Sequence, residues 1–186
     1  MPESKQPFRK TALSHSLAAF PRPAIEGDRG LLTKALWYLC GAILFQHSLA
    51  LLPSAVKAAI LRGFGAKIGT GVVIKPRVSI KSPWHLSVGD NSWIGEGAWI
   101  DNPGPVTIGN DVCLSQGVYI VTGNHDFTSP GFVFFAQPVE VGDRAWICAK
   151  AILPPGSIVP ARTVVPIGAV WRNLDGAHTV EPRDRS

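Results

Sequence analysis

Aliphatic residues recur at a six-residue spacing along most of the chain. Fourteen successive positions of this series are Ile, Leu or Val, a run that average composition does not produce by chance. Each hexapeptide predicts one short strand and a corner, and three hexapeptides form a triangular coil whose aliphatic side chains point to the axis. Such coils stack through parallel backbone hydrogen bonds about 4.8 Å apart. The series comprises Ile68, Ile74, Ile80, Val88, Ile94, Ile100, Ile108, Leu114, Ile120, Val141, Ile147, Leu153, Val159 and Val165.

Small residues share this period. The position after the aliphatic residue is often glycine, as at Gly69, Gly89, Gly95, Gly109 and Gly142. The repeat is too short for pairs of helices and too regular for a sandwich of two sheets. We therefore predict an all-β fold, a parallel β-helix of about five to six coils over residues 65–172.

One excursion interrupts the repeat. Successive coil starts lie twenty residues apart at Ile68, Val88 and Ile108, but thirty-three residues separate Ile108 from Val141, about fifteen more than an eighteen-residue coil needs. The surplus falls in the segment 121–140. A long loop on a rigid scaffold is where functional residues are expected.

The residues before the repeat have a different texture. Residues 1–30 form a polar arm, 31–64 an apolar helical segment divided by Pro53, and 173–186 a polar tail. Ser54 is a candidate cap for the second helix. Residues 35–52 carry no formal charge, close to the shortest length that crosses a bilayer. Three interpretations remain open: a helix over the open end of the β-helix, a helix lying on a membrane, and a membrane span.

Composition excludes several classes of protein. The net charge of +5 comes without long basic runs, so nucleic-acid binding is not indicated. Three widely spaced cysteines without a CxxC pair argue against a zinc knuckle or a disulfide framework and favour a reducing cytoplasm. Residues 1–20 contain no apolar core typical of a signal peptide. A carbonic anhydrase of the γ class would need three histidine ligands, and the close pair is missing.

The whole pattern resembles a known family. A hexapeptide series, broken by a loop bearing TGNHDF and resumed with VGDRAWICAKAILPPGSIV, is similar to the hexapeptide acyltransferases over residues 30–172. The FGAKIG entry at residues 64–69 is most similar to colanic acid biosynthesis acetyltransferases. The resemblance implies a left-handed coil, a homotrimer with active sites between subunits, acetyl-CoA as cosubstrate, no metal, and His125 as the catalytic base. It suggests an exopolysaccharide acceptor, lipid-linked at the inner membrane face.

Histidine suits this chemistry because an alcohol is a poor nucleophile at neutral pH. A base with an ordinary pKa near 6.5 beside the hydroxyl is worth about 10²–10⁴ in rate. Asp126 follows His125 and is expected either to contact the acceptor and orient the ring or simply to cap the loop. Asn102 matches a position where relatives touch the acceptor, although Asn at a corner is also ordinary turn chemistry.

The resemblance also assigns residues to coenzyme A. Trp146 matches an aromatic position at the cleft, with packing between subunits as the alternative. Ala149 stands where some relatives carry serine, so only its backbone N–H would serve the thioester. At the C-terminal end Ile167 replaces a small residue and would crowd the pantetheine arm, whereas Arg172 could supply a charge for a phosphate. Two other functions stay open: an N-acyltransferase for an amino-sugar nucleotide and a non-catalytic assembly subunit.

Overall fold

The protein is described here by a computed structural model that covers residues 25–46, 52–126 and 131–173. The polar arm up to residue 24, residues 47–51 of the apolar segment, the loop tip 127–130 and the tail from residue 174 lie outside the described residues. Helix α1 spans Leu31–Gly41 and continues as a π-helical turn over Ala42–Gln46. Helix α2 spans Ser54–Gly63, and a 3₁₀ turn spans Pro83–His85.

The strands of the coils form three parallel sheets, two with five strands and one with four, and each strand pairs with its counterpart in the next coil. Sheet A contains β1 (Lys67–Ile68), β4 (Leu86–Val88), β7 (Val106–Ile108), β12 (Val139–Val141) and β15 (Ile158–Val159). Sheet B contains β2 (Val73–Ile74), β5 (Trp93–Ile94), β8 (Cys113–Leu114), β13 (Trp146–Ile147) and β16 (Val164–Val165). Sheet C contains β3 (Ser79–Ile80), β6 (Trp99–Asp101), β9 (Tyr119–Val121) and β14 (Ile152–Leu153). The described residues thus make about five coils of a parallel β-helix, which confirms the predicted fold.

The register explains the six-residue period. Aliphatic axis positions pair directly across coils, as Val88 pairs with Ile108 and Ile108 with Val141. All fourteen predicted axis residues are buried, with at most 8% of the side chain exposed. Burying a side chain of this size contributes roughly 1.5–3 kcal/mol, so the axis is the main stabilising feature of the domain.

The first coil (β1 to β3) leaves backbone carbonyls without partners in the β-helix, and side chains of the helices bind them. Gly69 N donates to the Val88 carbonyl of the second coil at 2.8 Å, whereas the carbonyls of the axis residues Ile68, Ile74 and Ile80 face the helices. Three donor side chains of the helical segment meet them, one for each sheet. Trp37 Nε1 donates to Ile80 O, Lys57 Nζ to Ile74 O and Lys75 O, and Arg62 Nε and Nη2 to Ile68 O and Gly69 O. We call α1, the π-helical turn and α2 the helical cap.

The cap bears on the interpretations of the apolar segment. Its helices pack over the open end of the β-helix, and Trp37, Phe45 and Leu61 join the buried core. No helix in the described ranges is long and apolar enough to cross a membrane. Ser54 departs from its expected role: it is the first residue of α2 and makes no cap hydrogen bond, because its Oγ accepts Ile74 N–H at 2.9 Å.

A conservative substitution tests the cap. Trp37→Phe keeps an aromatic ring but removes the 2.8 Å hydrogen bond to the Ile80 carbonyl, leaving a buried acceptor unpaired. We expect the free energy of unfolding to fall by about 1–2 kcal/mol in urea denaturation, beyond the loss of packing that the smaller ring causes. Trp84→Phe is the matched control, because the buried Trp84 indole N–H has no hydrogen-bond partner among the described residues. Equal losses for both variants would contradict the capping role.

Candidate active site

The site is built on a hairpin that leaves the β-helix after β9. Strand β10 (Gly123–His125) pairs antiparallel with β11 (Phe134–Ala136), and His125 stands opposite Phe134. The base of the hairpin is fixed by Thr122, whose buried Oγ1 accepts Gly104 N–H at 2.8 Å. The short hairpin therefore holds His125 outside the β-helix, beyond the corner between sheets C and A.

His125 is held in one orientation. Its ring stacks on Phe132 with 4.3 Å between centroids and an interplanar angle of 7°, and it meets Phe134 edge-on at 5.3 Å. Nδ1 lies 3.0 Å from the Phe132 carbonyl oxygen, which can only accept. Nδ1 therefore carries the proton, and the lone pair of the neutral ring is on Nε2.

Phe132, whose ring and carbonyl oxygen hold His125, adopts an unusual backbone conformation. Its φ of +48° lies in the left-handed region, which non-glycine residues enter at a cost of about 1–2 kcal/mol. The same residue supplies both the stacking ring and the carbonyl that receives Nδ1–H. Strain of this kind concentrates at functional sites. Sequence inspection did not single out Phe132, because a left-handed aromatic residue has no signature in composition or period.

Asp126 continues the hairpin beyond His125. Its backbone N–H donates to the Val133 carbonyl at 2.9 Å, and its side chain is half-buried. The Asp126 carboxylate thus lies next to His125 in the chain, and the contact of Asp126 with the acceptor stays a prediction.

Asn102 has a structural role at a corner of the β-helix. Its side chain is completely buried, Oδ1 accepts Ser82 N–H at 3.0 Å, and Nδ2 donates to Ser82 O at 2.8 Å. Both ends of the amide are thus engaged with the corner of the coil below. Asn102 thus ties two corners together, and its predicted contact with the acceptor stays a prediction.

The replacement of Asn102 by alanine separates these roles. Asn102→Ala leaves a buried N–H and a buried C=O of Ser82 unpaired, and we expect the free energy of unfolding to fall by about 2–3 kcal/mol. The KM for the acceptor should stay within about twofold of its original value at a temperature where the variant is folded. A large rise in that KM with unchanged stability would restore the acceptor contact.

Sheet C presents polar and aromatic side chains that sequence reasoning missed. Lys81 Nζ lies 2.8 Å from Asp101 Oδ1, and Trp99 stacks on Tyr119 at 4.8 Å between centroids. Burial first, and then the Asp101 charge, raises the pKa of the Tyr119 hydroxyl. Trp99, Asp101 and Lys81, with Trp37 and Tyr38 of α1, line a cavity of about 320 Å³. The sequence signal that could have found them is the position just before each axis residue, whose side chain points outward. Trp99 and Tyr119 both occupy this position in neighbouring coils.

The residues assigned to coenzyme A lie elsewhere on the chain. Trp146 is half-exposed on the outer face of sheet B, donates from Nε1 to Ser115 Oγ at 2.9 Å, and lies in register with Cys113 and Trp93. Ala149 follows at the corner between sheets B and C, where its carbonyl accepts Gly168 N–H at 2.9 Å.

The two remaining positions lie on different edges. Ile167 is next to Gly168 and 74% exposed, whereas Arg172 is exposed after the last coil, between Trp171 and Asn173, which hydrogen-bond Ile158 of sheet A. Trp146, Ala149 and Ile167 precede or occupy the corner between sheets B and C, whereas His125 leaves the edge between sheets C and A. One chain does not bring these three residues onto the edge that carries His125.

Metal-ligating side chains are not clustered in this part of the structure. Within residues 25–46, 52–126 and 131–173, no cluster of three His, Cys, Asp or Glu side chains could hold a metal ion. The candidate site therefore consists of His125, the hairpin that carries it and the exposed edges of the coils.

Comparisons with known proteins place this geometry. No family model matches the chain. WcaF of Escherichia coli strain K12, which its name assigns to colanic acid biosynthesis as an acetyltransferase, is 38% identical over 151 residues, 80% of this chain and 81% of the relative.

Two solved structures share the fold. A hexapeptide-repeat acetyltransferase of Vibrio cholerae in complex with acetyl-CoA superposes with a TM-score of 0.65 at 20% identity, covering 76% of each chain. A maltose O-acetyltransferase of Clostridium difficile 630 gives a TM-score of 0.61 at 22% identity, covering 77% of this chain and 81% of that one.

These hexapeptide coils form a parallel β-helix that matches the left-handed β-helix fold of acyltransferases. The likeness to WcaF then settles the family: the chain belongs to the hexapeptide-repeat acetyltransferases, as its motifs had predicted. The prediction that the protein is an enzyme is confirmed with it.

Proposed function

We propose that this enzyme transfers an acetyl group from acetyl-CoA to a sugar hydroxyl during synthesis of an exopolysaccharide of the colanic acid type. The observation that carries the proposal is the fixed His125 ring, with Nδ1–H on the Phe132 carbonyl and the lone pair on Nε2. Support comes from the names of relatives, which include an acetyltransferase of colanic acid biosynthesis and a galactoside O-acetyltransferase. The bound acetyl-CoA in the Vibrio cholerae structure supports the donor.

The mechanism is one direct displacement. Nε2 of His125 removes the hydroxyl proton while the sugar oxygen attacks the thioester carbonyl. The Phe132 carbonyl stabilises the imidazolium as it forms, because Nδ1–H donates to it throughout. Collapse of the tetrahedral intermediate breaks the carbon–sulfur bond, and His125 returns the proton to the departing thiolate. No acyl-enzyme is needed.

The oxyanion needs a donor, and Ala149 offers one. Its backbone N–H donates to no group within the described residues, while its carbonyl is bound to Gly168. A backbone N–H aimed at the developing oxyanion is typically worth 10²–10³ in rate, and it survives replacement of a serine by alanine. In this proposal Trp146 and Arg172 also contact the coenzyme, with Ile167 narrowing the path of the pantetheine arm.

Completion of the site requires a second chain in this proposal. His125 and Ala149 lie on different edges of one β-helix, so we propose a homotrimer in which His125 of one subunit meets the coenzyme edge of the next. The outer faces support this arrangement. Sheet B exposes Trp93, Trp146 and Val164 by about half, which is typical of surfaces buried on association.

The cellular setting is inferred from the cysteines. We place the enzyme in the cytoplasm, because the described cysteines Cys40, Cys113 and Cys148 are free thiols, as in a reducing compartment. An acceptor carried on a lipid at the inner membrane face is part of the proposal.

An acceptor screen tests the function. Purified protein with acetyl-CoA is offered free sugars, sugar nucleotides and lipid-linked oligosaccharides, and thiol release is measured with each. We expect release with a glycan acceptor and a product whose acetyl group is removed by mild base, as an ester is. An acetyl group that resists mild base would mark an amide and replace the proposal with N-acylation. Absence of release with every class would favour a non-catalytic subunit.

A further inference from the structure

Helix α1 of the helical cap, with the π-helical turn that continues it, has an apolar face that no described residue covers. Its inner face carries Trp37 and packs on the first coil, whereas its outer residues are between 43% and 85% exposed. The uncovered residues are Leu31, Leu32, Leu36, Tyr38, Leu39 and Ile43. A helix that is apolar on both faces belongs in a core or at a membrane, and a contiguous exposed apolar patch marks an interaction surface.

The charge of the protein is concentrated at the same end. Residues 25–82, which hold the helical cap and the first coil, contain eight basic and two acidic residues, a net charge of +6. Residues 83–173, which hold the rest of the β-helix, contain four basic and seven acidic residues, a net charge of −3. The sequence before residue 25 adds Lys5, Arg9, Lys10 and Arg22 against Glu3. The apolar face therefore lies in a strongly basic setting.

Several of these charges are available at the surface. Lys67 and Lys75 are exposed and form no ion pair with any described acidic residue, and Lys75 lies over the Trp93 ring at 5.4 Å. Arg77 and Lys81 reach Glu96 and Asp101 of the second coil. Lys67 and Lys75 of the first coil thus remain available to an anionic partner at the end of the β-helix that carries the helical cap.

We infer that α1 lies in the surface of an anionic lipid bilayer, with its outer face among the acyl chains and the basic end of the protein against the headgroups. An apolar face flanked by Lys and Arg is the pattern of an interfacial helix. Each basic residue close to such a surface contributes about 1 kcal/mol. Two copies of this face would bring two ends of charge +6 together, so charge favours lipid over a second copy.

Binding in this manner would not depend on the chemistry of the site. The link between the two rests on the proposed function: a membrane-bound enzyme would meet a lipid-linked acceptor at the surface where that acceptor is held. Vesicle binding is measured without any acceptor, so failure of the acetyl transfer and failure of membrane binding are separate results.

The test is co-sedimentation of the full chain with vesicles of phosphatidylcholine alone or mixed with phosphatidylglycerol. We expect binding to the mixed vesicles, at least tenfold weaker binding to the neutral ones, and release as salt rises from about 0.1 M to about 1 M, where the Debye length falls from about 10 Å to about 3 Å. No binding to anionic vesicles would overturn the inference.

A matched pair of variants identifies the surface. Leu39→Ser removes a residue that is 61% exposed on α1, and Ile158→Ser one that is 58% exposed on sheet A. We expect Leu39→Ser to weaken vesicle binding about tenfold and Ile158→Ser to leave it unchanged. Equal effects would overturn the assignment to α1. A smaller particle mass for Leu39→Ser by light scattering would instead show that α1 contacts a second copy.

Discussion

His125→Asn should lower kcat for acetyl transfer by about 10²–10⁴-fold while the fold stays intact. Asparagine retains a polar side chain of similar length but cannot remove a proton at neutral pH. The Phe132 carbonyl and ring, which orient the histidine, would remain in place. The loss should therefore fall on the chemical step, with the KM for acetyl-CoA within about twofold of its original value.

The measurement is thiol release with the best acceptor from the screen, together with light scattering and thermal unfolding of the variant. His85→Asn is the matched control, since His85 lies outside the hairpin, as the last residue of the 3₁₀ turn, and meets the Trp84 ring edge-on. It should keep its kcat within about threefold. If His125→Asn kept more than a third of the activity, His125 would not be the general base, and the loop would only position the reactants.

The fold could be predicted because one physical constraint acts on every coil. Ile94, Ile100 and Ile147 must fill the same axis, so the same side-chain class returns every six residues. The position of the hairpin was also predictable, since an extruded loop breaks the count between Ile120 and Val141. The six-residue period alone is therefore enough to predict both the fold and the position of the hairpin.

The contacts of single polar side chains could not be predicted in the same way. Asn102 reads as an acceptor contact or as a corner residue, and only the buried bonds to Ser82 show the second. Arg62 reads as a surface charge, yet it caps the carbonyls of Ile68 and Gly69. These roles depend on which backbone groups a distant coil leaves unpaired, and a local pattern does not contain that information.

The glycines of the repeat lead to the second large effect: Gly95→Ala should lower the free energy of unfolding by more than about 3 kcal/mol. A Cβ at Gly95 would lie 2.5 Å from the Ser115 carbonyl carbon, 2.6 Å from the Ser115 oxygen and 2.7 Å from the Leu114 oxygen. These atoms belong to the backbone of the next coil, which is held by the 2.8 Å hydrogen bond from Gly95 N to Leu114 O. The coils must therefore separate, and neighbouring axis contacts are lost with them.

Gly97→Ala, two residues further along the same corner, isolates this cause. A Cβ there meets nothing within 4 Å, so its cost comes only from the φ of +67°, about 1–2 kcal/mol. Urea unfolding of both variants beside the parent protein checks the difference. Equal destabilisation would mean that conformational freedom, and not the approach of the next coil, explains why glycine follows the aliphatic residue. The larger loss at Gly95 would instead assign the repeated glycine to coil stacking, the same close approach that Gly142 shows toward Ala161 N at 2.5 Å.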